Sequence, residues 1–352
     1  MERSQARWIW ISIAFSVAVI VVVIATTFNE STLKHILTLN LFFLAGAFGL
    51  RIASLLFWSA RIRSMSLSLG YRVKFSHAFN LVLANLLAGA ITPGQTGGEP
   101  VRIHELYRAD VKIGDATAVV IMERVLDGIV LTVMGVLAML LLGRVWQGLS
   151  VEVVIIVVIA WVFMIGVIAG LLISARNPQW IKVHLIRLLK WLSFKFPGGR
   201  FQKMADQADC ELDNFFSSMN HFTGKSRRGL FYGTIFTVLF WTSEFLVASL
   251  LLMSLGQQPF IAESFLFQLV IAIIMMVPLT PGSSGIAEIS ASSLYILIVP
   301  ASILGIFILL WRLLLYYFNI AVGLIASVSI FKRELTLKEE VGTKAADVPP
   351  LK

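Results

Sequence analysis

The feature that most constrains this chain is a series of six apolar runs, each long enough to cross a lipid bilayer. The first begins at Trp8, and the others cover residues 37–58, 116–142, 151–173, 230–255 and 301–330. At about 1.5 Å per residue, a helix of about 20 residues crosses the hydrocarbon core. A soluble core could not bury so much apolar surface, because 58% of the residues are hydrophobic and only 14% are charged. We therefore predict an all-α polytopic membrane protein.

Two shorter apolar stretches, 77–91 and 263–278, end in closely related breaks. The first break reads "ITPGQTGGEP" at 91–100, and the second reads "LTPGSSGIAE" at 279–288. Proline ends a helical hydrogen-bond ladder, and glycine permits a positive φ and a close backbone approach. Such breaks survive at membrane depth only against protein or a water-filled cavity. We expect the two breaks to meet near the midplane of the membrane and to form one cavity. Their backbone would come from Thr92, Pro93, Gly94, Gly97 and Gly98, and from Thr280, Pro281, Gly282 and Gly285.

The distribution of positive charge predicts the topology. If both short stretches enter and leave the membrane on one side, 24 of the 29 Lys and Arg residues face the cytoplasm. They lie in segments 1–7, 59–76, 93–115, 174–229 and 331–352. Both termini would then be cytoplasmic, and both short stretches would be re-entrant hairpins. The net charge of +9 therefore indicates an anionic membrane face and no nucleic-acid partner.

This topology divides the chain into two related halves. The first half, 1–150, contains the hairpin 77–115, and the second half, 151–330, contains the cytoplasmic segment 174–229 and the hairpin 263–299. A cytoplasmic tail, 331–352, follows. Arg124 lies 31 residues after Pro93, and Arg312 lies 31 residues after Pro281. We therefore predict six full spans and two hairpins in an inverted-topology repeat.

The cytoplasmic segment contains a basic amphipathic stretch from Trp180 to Phe196, "WIKVHLIRLLKWLSFKF". Basic residues set among Trp, Leu, Ile and Phe are typical of a helix that lies in the plane of an anionic membrane surface. Residues 201–222 follow as a second predicted helix, which has an acidic side.

Three arginines, Arg51, Arg124 and Arg312, fall within the predicted spans. An intramembrane ion costs from about 2.5 kcal/mol upward, so it faces the interior and pairs or binds a ligand. The planar guanidinium fork suits a phosphate group. We predict that Arg124 and Arg312 contact an anionic headgroup. The alternative is a structural ion pair, which for Arg124 would form with Asp127 or Glu99.

Several further charged residues complete the predicted substrate-binding set. Glu123 and Asp127 are four residues apart and share a helix face. Glu99 and Glu288 follow the breaks. Each either contributes to the electrostatic field around an arginine or caps the helix that follows. Arg102 is placed near the cytoplasmic rim, as a surface residue that attracts lipid phosphates. Arg51 and Glu244 are as apt to pair with each other or another helix as to touch substrate.

Enzyme motifs are incomplete in this sequence. "GSSG" at 282–285 has the pattern of an intramembrane serine protease, but no histidine follows His221 to act as its base. "HELYR" at 104–108 begins like a zinc motif and has Arg108 in place of the second histidine. Neither a nucleotide-binding loop nor a cysteine cluster is present. We therefore predict no catalytic residue, cofactor or metal, and no enzymatic activity.

The stretches "TPGQTGGEPVR", "ERVLDG" and "PLTPGSSGIAE" resemble the lysylphosphatidylglycerol synthase transmembrane-region family, the flippase-like domain of the MprF proteins. The resemblance covers roughly residues 8–330. It implies movement of a phospholipid or polyprenyl-phosphate lipid between the leaflets of a prokaryotic cell membrane. A separate lipid-modifying enzyme would make that lipid, because no synthase domain follows the membrane part. The alternatives are a secondary transporter of a small soluble anion and a non-transporting partner of a lipid-modifying enzyme.

Overall fold

The computed structural model describes residues 38–92, 95–141, 200–223, 227–275, 280 and 282–328, together with isolated helical positions between 151 and 187. The first predicted span, most of the predicted span 151–173, nearly all of the stretch from Trp180 to Phe196, and the tail 331–352 lie outside the described residues. Every regular element among the described residues is a helix.

Nine helices are described with their bounds. They are α1 (Leu41–Ser68), α2 (Phe75–Ala90), α3 (Gly98–Tyr107), α4 (Ile113–Leu141), α5 (Arg200–Thr223), α6 (Arg227–Ser254), α7 (Ile261–Met275), α8 (Ile286–Tyr295) and α9 (Ala301–Val328). Helix α9 contains one π-helical turn, Leu313–Tyr317. The Asn40 side chain caps α1, because its Oδ1 accepts a hydrogen bond of 3.0 Å from the Phe42 N–H.

Three of these helices, α1, α6 and α9, are long and apolar enough to cross a membrane. Helix α4 has a similar length, 29 residues, and carries several charged residues near its middle. Large apolar side chains such as Phe42, Leu140 and Ile325 are exposed on the outer surface, as expected where helices face lipid. These observations confirm a membrane protein whose described elements are all helical. The arrangement of six spans and two re-entrant hairpins stays a prediction.

Helix α1 extends beyond the apolar run that predicted it. The sequence placed the core of this span at roughly residues 37–58 and residues 59–76 on the cytoplasmic side. In the structure α1 continues to Ser68, and Arg61 is buried within it at 1% exposure. The apolar run ends at the first charged residues, whereas the helix continues because Arg61 has buried partners, Glu123 and Asp127.

The described helices form two apolar cores. The first core contains residues of the first five helices, α1 through α5, such as Leu81 and Leu106. The second contains residues of α6 through α9, together with parts of α1 and α4. The start of α1 lies beside the end of α6, where the Asn40 N–H donates to the Ser254 carbonyl at 2.8 Å. A third, small apolar cluster forms where the end of α2 meets α9.

Helix α5 confirms the helix predicted for residues 201–222, and it packs against the first half of the chain. The Gly114 N–H donates to Glu211 Oε2 at 2.6 Å, and the Ser218 hydroxyl donates to the Asp115 carboxylate. The Tyr71 hydroxyl donates to Asp115 Oδ2 at 2.5 Å. Burial and this hydrogen bond raise the pKa of Tyr71 to about 12, so its hydroxyl stays a donor at neutral pH.

Candidate functional site

The two predicted breaks lie in contact with each other. The first separates α2, which ends at Ala90, from α3, and the second separates α7, which ends at Met275, from α8. The Gly282 N–H donates to the Thr92 carbonyl at 3.0 Å. A Cβ atom on Gly282 would lie 2.5 Å from the Ala90 carbonyl oxygen. The breaks therefore meet, and only glycine fits at their closest point.

The breaks share one feature of their backbone. Gln95 and Ser283, each two residues after the proline of its break, adopt left-handed φ values of 60° and 54°. A left-handed φ is uncommon for residues other than glycine and turns the chain sharply. Pro93, Gly94 and Pro281 themselves lie outside the described residues. The glycines two positions later differ, with a φ of −67° at Gly97 and 80° at Gly285, so the breaks share this residue conformation and not the whole turn.

Threonine hydroxyls replace part of the backbone hydrogen bonding that each break removes. Thr92 Oγ1 donates to the Ala88 carbonyl at 2.9 Å and accepts from the Gly97 N–H at 2.8 Å. Thr280 Oγ1 donates to the Ser284 carbonyl at 2.9 Å. These bonds satisfy backbone groups that would otherwise lack hydrogen-bond partners at the ends of the helices.

Two further glycines of the predicted set shape the starts of α3 and α8. A Cβ atom on Gly98 would lie 2.1 Å from the Asn85 Oδ1, so α3 can approach α2 only with glycine there. Gly285 has a φ of 80°, and its N–H donates to Glu288 Oε2 at 2.7 Å. Glu288 therefore caps α8, which is one of the two roles left open for it.

A cavity of about 160 Å³ lies beside the two breaks. Its walls come mainly from α1, α6, α7 and α9, and from Gln95 of the first break. All three arginines that the sequence left within spans, Arg51, Arg124 and Arg312, line this cavity. The remaining lining residues are Trp58, Leu86, Phe240, Trp241, Glu244, Phe245, Gln268, Ile271, Ala272, Met275, Trp311, Leu315 and Asn319.

Arg124 and Arg312 form equivalent ion pairs with the glutamates that follow the breaks. Arg124 Nη2 lies 2.5 Å from Glu99 Oε1, and Arg312 Nε lies 2.7 Å from Glu288 Oε1. The two pairs differ in burial, since the Arg124 side chain is 38% exposed and the Arg312 side chain is 2% exposed. Arg312 also packs over the Tyr316 ring at 4.2 Å. Of the two partners considered for Arg124, the structure places Glu99 against it.

Arg51 and Glu244 pair with each other across the cavity, and both line it. Ser54 also donates to the Glu244 carboxylate, and Arg51 Nη2 donates to Asn319 Oδ1 at 2.6 Å. These contacts connect α1, α6 and α9 through charged and polar groups. The sequence left open whether Arg51 and Glu244 pair with each other, pair with another helix or touch substrate; in the structure they pair with each other.

Glu123 and Asp127 share a face of α4, and their partner there is Arg61. The Arg61 guanidinium contacts Glu123 Oε1 at 2.8 Å and Asp127 Oδ1 at 2.6 Å. Trp58 and Trp241 donate from their Nε1 atoms to the same two carboxylates, each at 3.0 Å. Glu123 and Asp127 are at most 4% exposed, so this network is buried.

Arg102 corrects one prediction. The sequence placed it at the cytoplasmic rim as a surface residue, but its side chain is 1% exposed. Arg102 Nη1 lies 2.8 Å from Glu123 Oε2, and its guanidinium lies 5.5 Å from the Trp58 ring centre. The prediction was wrong because α3 folds back against α4, which brings Arg102 onto a buried carboxylate.

Sequence reasoning missed Arg61 altogether, although one signal for it was present. Arg124 lies about 100° around the helix from Glu123, so it cannot satisfy both Glu123 and Asp127. Two buried carboxylates on one helix face require another cation. The two carboxylates therefore indicate a missing cation, and Arg61 is one of several arginines in the sequence that could supply it.

The resulting site combines arginine forks with aromatic walls at the meeting point of two interrupted helices. Guanidinium groups in a poorly hydrated cavity bind anions more strongly than they do in water. Within the described part of the chain, no three His, Cys, Asp or Glu side chains are close enough together to hold a metal ion. The chemistry that these residues support is recognition of an anionic group.

Comparison with known proteins places the chain in a family. The model of the lysylphosphatidylglycerol synthase TM region matches residues 9–323. A UPF0104 membrane protein of Archaeoglobus fulgidus is 32% identical over 301 residues, which cover 85% of this chain and 90% of that relative. A UPF0104 membrane protein of Methanothermobacter thermautotrophicus is 25% identical, and the match covers 70% of this chain and 71% of that relative. Another, from Methanocaldococcus jannaschii, is 23% identical, and the match covers 88% of this chain and 91% of that relative. No solved structure matches. The chain therefore belongs to the lysylphosphatidylglycerol synthase transmembrane-region family.

Proposed function

We propose that the chain moves a phosphate-bearing lipid headgroup between membrane leaflets through the cavity beside the two breaks. One observation carries this proposal: Arg51, Arg124 and Arg312 all line that cavity. Each of these arginines is paired with a glutamate, and their guanidinium forks match phosphate oxygens, which could take the place of a carboxylate. The family match supports a membrane role related to lipids.

The size of the cavity limits what could enter it: a headgroup could do so only if its acyl chains stay in the lipid. Its volume of about 160 Å³ is below the roughly 300–1,000 Å³ of pockets that enclose drug-sized ligands. The two halves of the chain would rock about the paired breaks and open the cavity to each leaflet in turn. The lipid would be a phospholipid or a polyprenyl-phosphate lipid.

The remaining parts of the proposal concern orientation and partners. The chain would lie in the cell membrane of a prokaryote with both termini cytoplasmic, and its two halves would form the inverted repeat. The basic stretch from Trp180 to Phe196 would lie on the anionic cytoplasmic leaflet. A separate enzyme would make the lipid, and the chain itself would be a transporter without enzymatic activity and without a nucleic-acid partner.

The small volume of the cavity also favours a second candidate, a secondary transporter of a small soluble anion. Phosphate and a lipid phosphate headgroup present the same oxygens to the arginines. The two candidates differ in whether acyl chains must pass along the protein while the headgroup crosses. Transport of the lipid and efflux of trapped phosphate can therefore be measured side by side.

The proposal is tested by leaflet exchange in proteoliposomes that contain fluorescent phosphatidylglycerol, with dithionite quenching of the outer leaflet. We expect fast exchange with the intact protein, and loss of that exchange in Arg124→Ala and Arg312→Ala at matched reconstitution. Arg63→Ala, an exposed position on α1, is the control. Exchange that persists in both arginine variants would contradict the proposed site. Efflux of radiolabelled phosphate without lipid exchange would favour the second candidate.

A further inference from the structure

Six side chains of alternating charge lead from the packed interior of the first half to the cavity. In order, they are Asp127, Arg61, Glu123, Arg102, Glu99 and Arg124. The successive N–O distances are 2.6, 2.8, 2.8, 3.7 and 2.5 Å. Four of these contacts are close ion pairs. The long contact, between Arg102 and Glu99, is therefore the point at which the chain of charges can rearrange.

Glu99 lies between two arginines that compete for the same oxygen. Its Oε1 is 2.5 Å from Arg124 Nη2 and 3.7 Å from Arg102 Nη2. The Nε and Nη2 atoms of Arg102 are buried, and neither has a hydrogen-bond partner among the described residues. A buried charged donor without an acceptor is destabilising. A shift of the Glu99 carboxylate by about 1 Å would give Arg102 Nη2 a hydrogen bond of ordinary length.

Arg124 is placed to meet an anion that enters the cavity. Its side chain is 38% exposed and lines the cavity, whereas the Arg102 side chain is 1% exposed. An anion on Arg124 would repel the carboxylate already there, because like charges a few ångströms apart repel, and the exposure of 38% for Arg124 and 25% for Glu99 screens that repulsion only in part. Glu99 would then need another cation, and Arg102 is beside it.

The corresponding pair in the second half is held in another way. Glu288 accepts a hydrogen bond of 2.7 Å from the Gly285 N–H at the start of α8, and it lies 2.7 Å from Arg312 Nε. The side chains of Glu288 and Arg312 are at most 2% exposed. Movement of Glu288 would break a helix cap, whereas movement of Glu99 would form a new hydrogen bond. The two halves therefore differ in which counter-ion can move.

We propose that Glu99 is a movable counter-ion, which transfers from Arg124 to Arg102 when a phosphate group binds Arg124. Arg102 is then a positioning residue: it lowers the energetic cost of ligand binding without touching the ligand. The identity of the anion rests on the proposed function, whereas the transfer itself depends on the three side chains. Phosphate is the chemistry recognised, whether it belongs to a lipid headgroup or is free.

The test is a double-mutant cycle of Glu99→Gln and Arg102→Lys, read by isothermal titration calorimetry on detergent-purified protein. The probes are dihexanoyl phosphatidylglycerol and inorganic phosphate, in separate titrations. Lysine keeps a positive charge near Glu123 but lacks the second terminal nitrogen that faces Glu99. We expect Arg102→Lys to weaken binding by about tenfold when Glu99 is present, and by less than about twofold in the Glu99→Gln background. Arg63→Lys, exposed on α1, is the matched control.

Each outcome of the cycle decides the proposal. Equal losses in both backgrounds would show that Arg102 acts only through packing, and would overturn it. Failure of the intact protein to bind either probe would also overturn it, because no anion would then displace Glu99. Coupling seen with one probe or both supports the transfer and identifies the source of the phosphate. Coupling without leaflet exchange in proteoliposomes would refute lipid movement and leave the counter-ion transfer standing.

Discussion

At the scale of residues, the sequence predicted which charges belong inside the protein better than it predicted their partners. Arg51, Arg124 and Arg312 were expected to face the interior, and all three line one cavity. Arg102 was assigned to the surface, and Arg61 was counted only as one charge of the cytoplasmic segment 59–76, because charge counting does not consider burial. Their burial depends on Glu123, which is distant in sequence and becomes visible only when α1 and α3 pack against α4.

Arg61→Leu tests whether the buried network stabilises the protein. The substitution leaves the Glu123 and Asp127 carboxylates without the guanidinium that contacts both of them. Breaking a buried ion pair by removing one partner costs about 3–5 kcal/mol. We expect a marked fall in the thermal unfolding temperature in detergent, followed by tryptophan fluorescence.

Arg63→Leu is the control for that measurement, because Arg63 lies two residues away on the same helix and is exposed. Its unfolding temperature should match that of the intact protein. If both variants unfold at the temperature of the intact protein, the network contributes nothing to stability and its role must lie elsewhere.

At the scale of elements, both helix breaks were predicted from their Thr-Pro-Gly stretches, because proline and glycine act on the backbone locally. Helix lengths were predicted less well, and α1 continues to Ser68, ten residues beyond the apolar run that predicted it, which ends near residue 58. The contact between the breaks could be expected only from topology. Its details, such as the hydrogen bond between Gly282 and Thr92, depend on packing that no local pattern specifies.

Gly282→Ala tests the contact between the breaks, and Gly256→Ala is its matched control. Both glycines have a left-handed φ, 57° and 71°, so alanine strains the backbone at both. A Cβ on Gly282 would lie 2.5 Å from the Ala90 carbonyl oxygen, whereas a Cβ on Gly256 would meet nothing within 4 Å. We expect Gly282→Ala to lower the unfolding temperature more than Gly256→Ala and to slow leaflet exchange. Equal effects of the two substitutions would mean that the breaks do not need their close approach.

At the scale of the whole molecule, the apolar runs and the family resemblance indicated a helical membrane protein of this family, and the fold and the comparisons confirm both. The positive charge of the loops predicts that both termini are cytoplasmic. This orientation relative to the membrane stays a prediction. The inverted repeat stays a prediction; the two breaks have in common a left-handed residue, Gln95 or Ser283, and an arginine paired with the glutamate that follows.

The proposed function requires that Arg124 binds a ligand as well as pairing with Glu99. The most direct test is leaflet exchange by the double variant Glu99→Gln/Arg124→Gln, compared with Arg124→Gln alone. The double variant leaves no carboxylate without its arginine, so any purely structural defect of the single variant should be relieved. We predict that both variants lose exchange while the double variant regains the unfolding temperature of the intact protein. Exchange restored in the double variant would contradict the account, since Arg124 would then be a structural ion pair and nothing more.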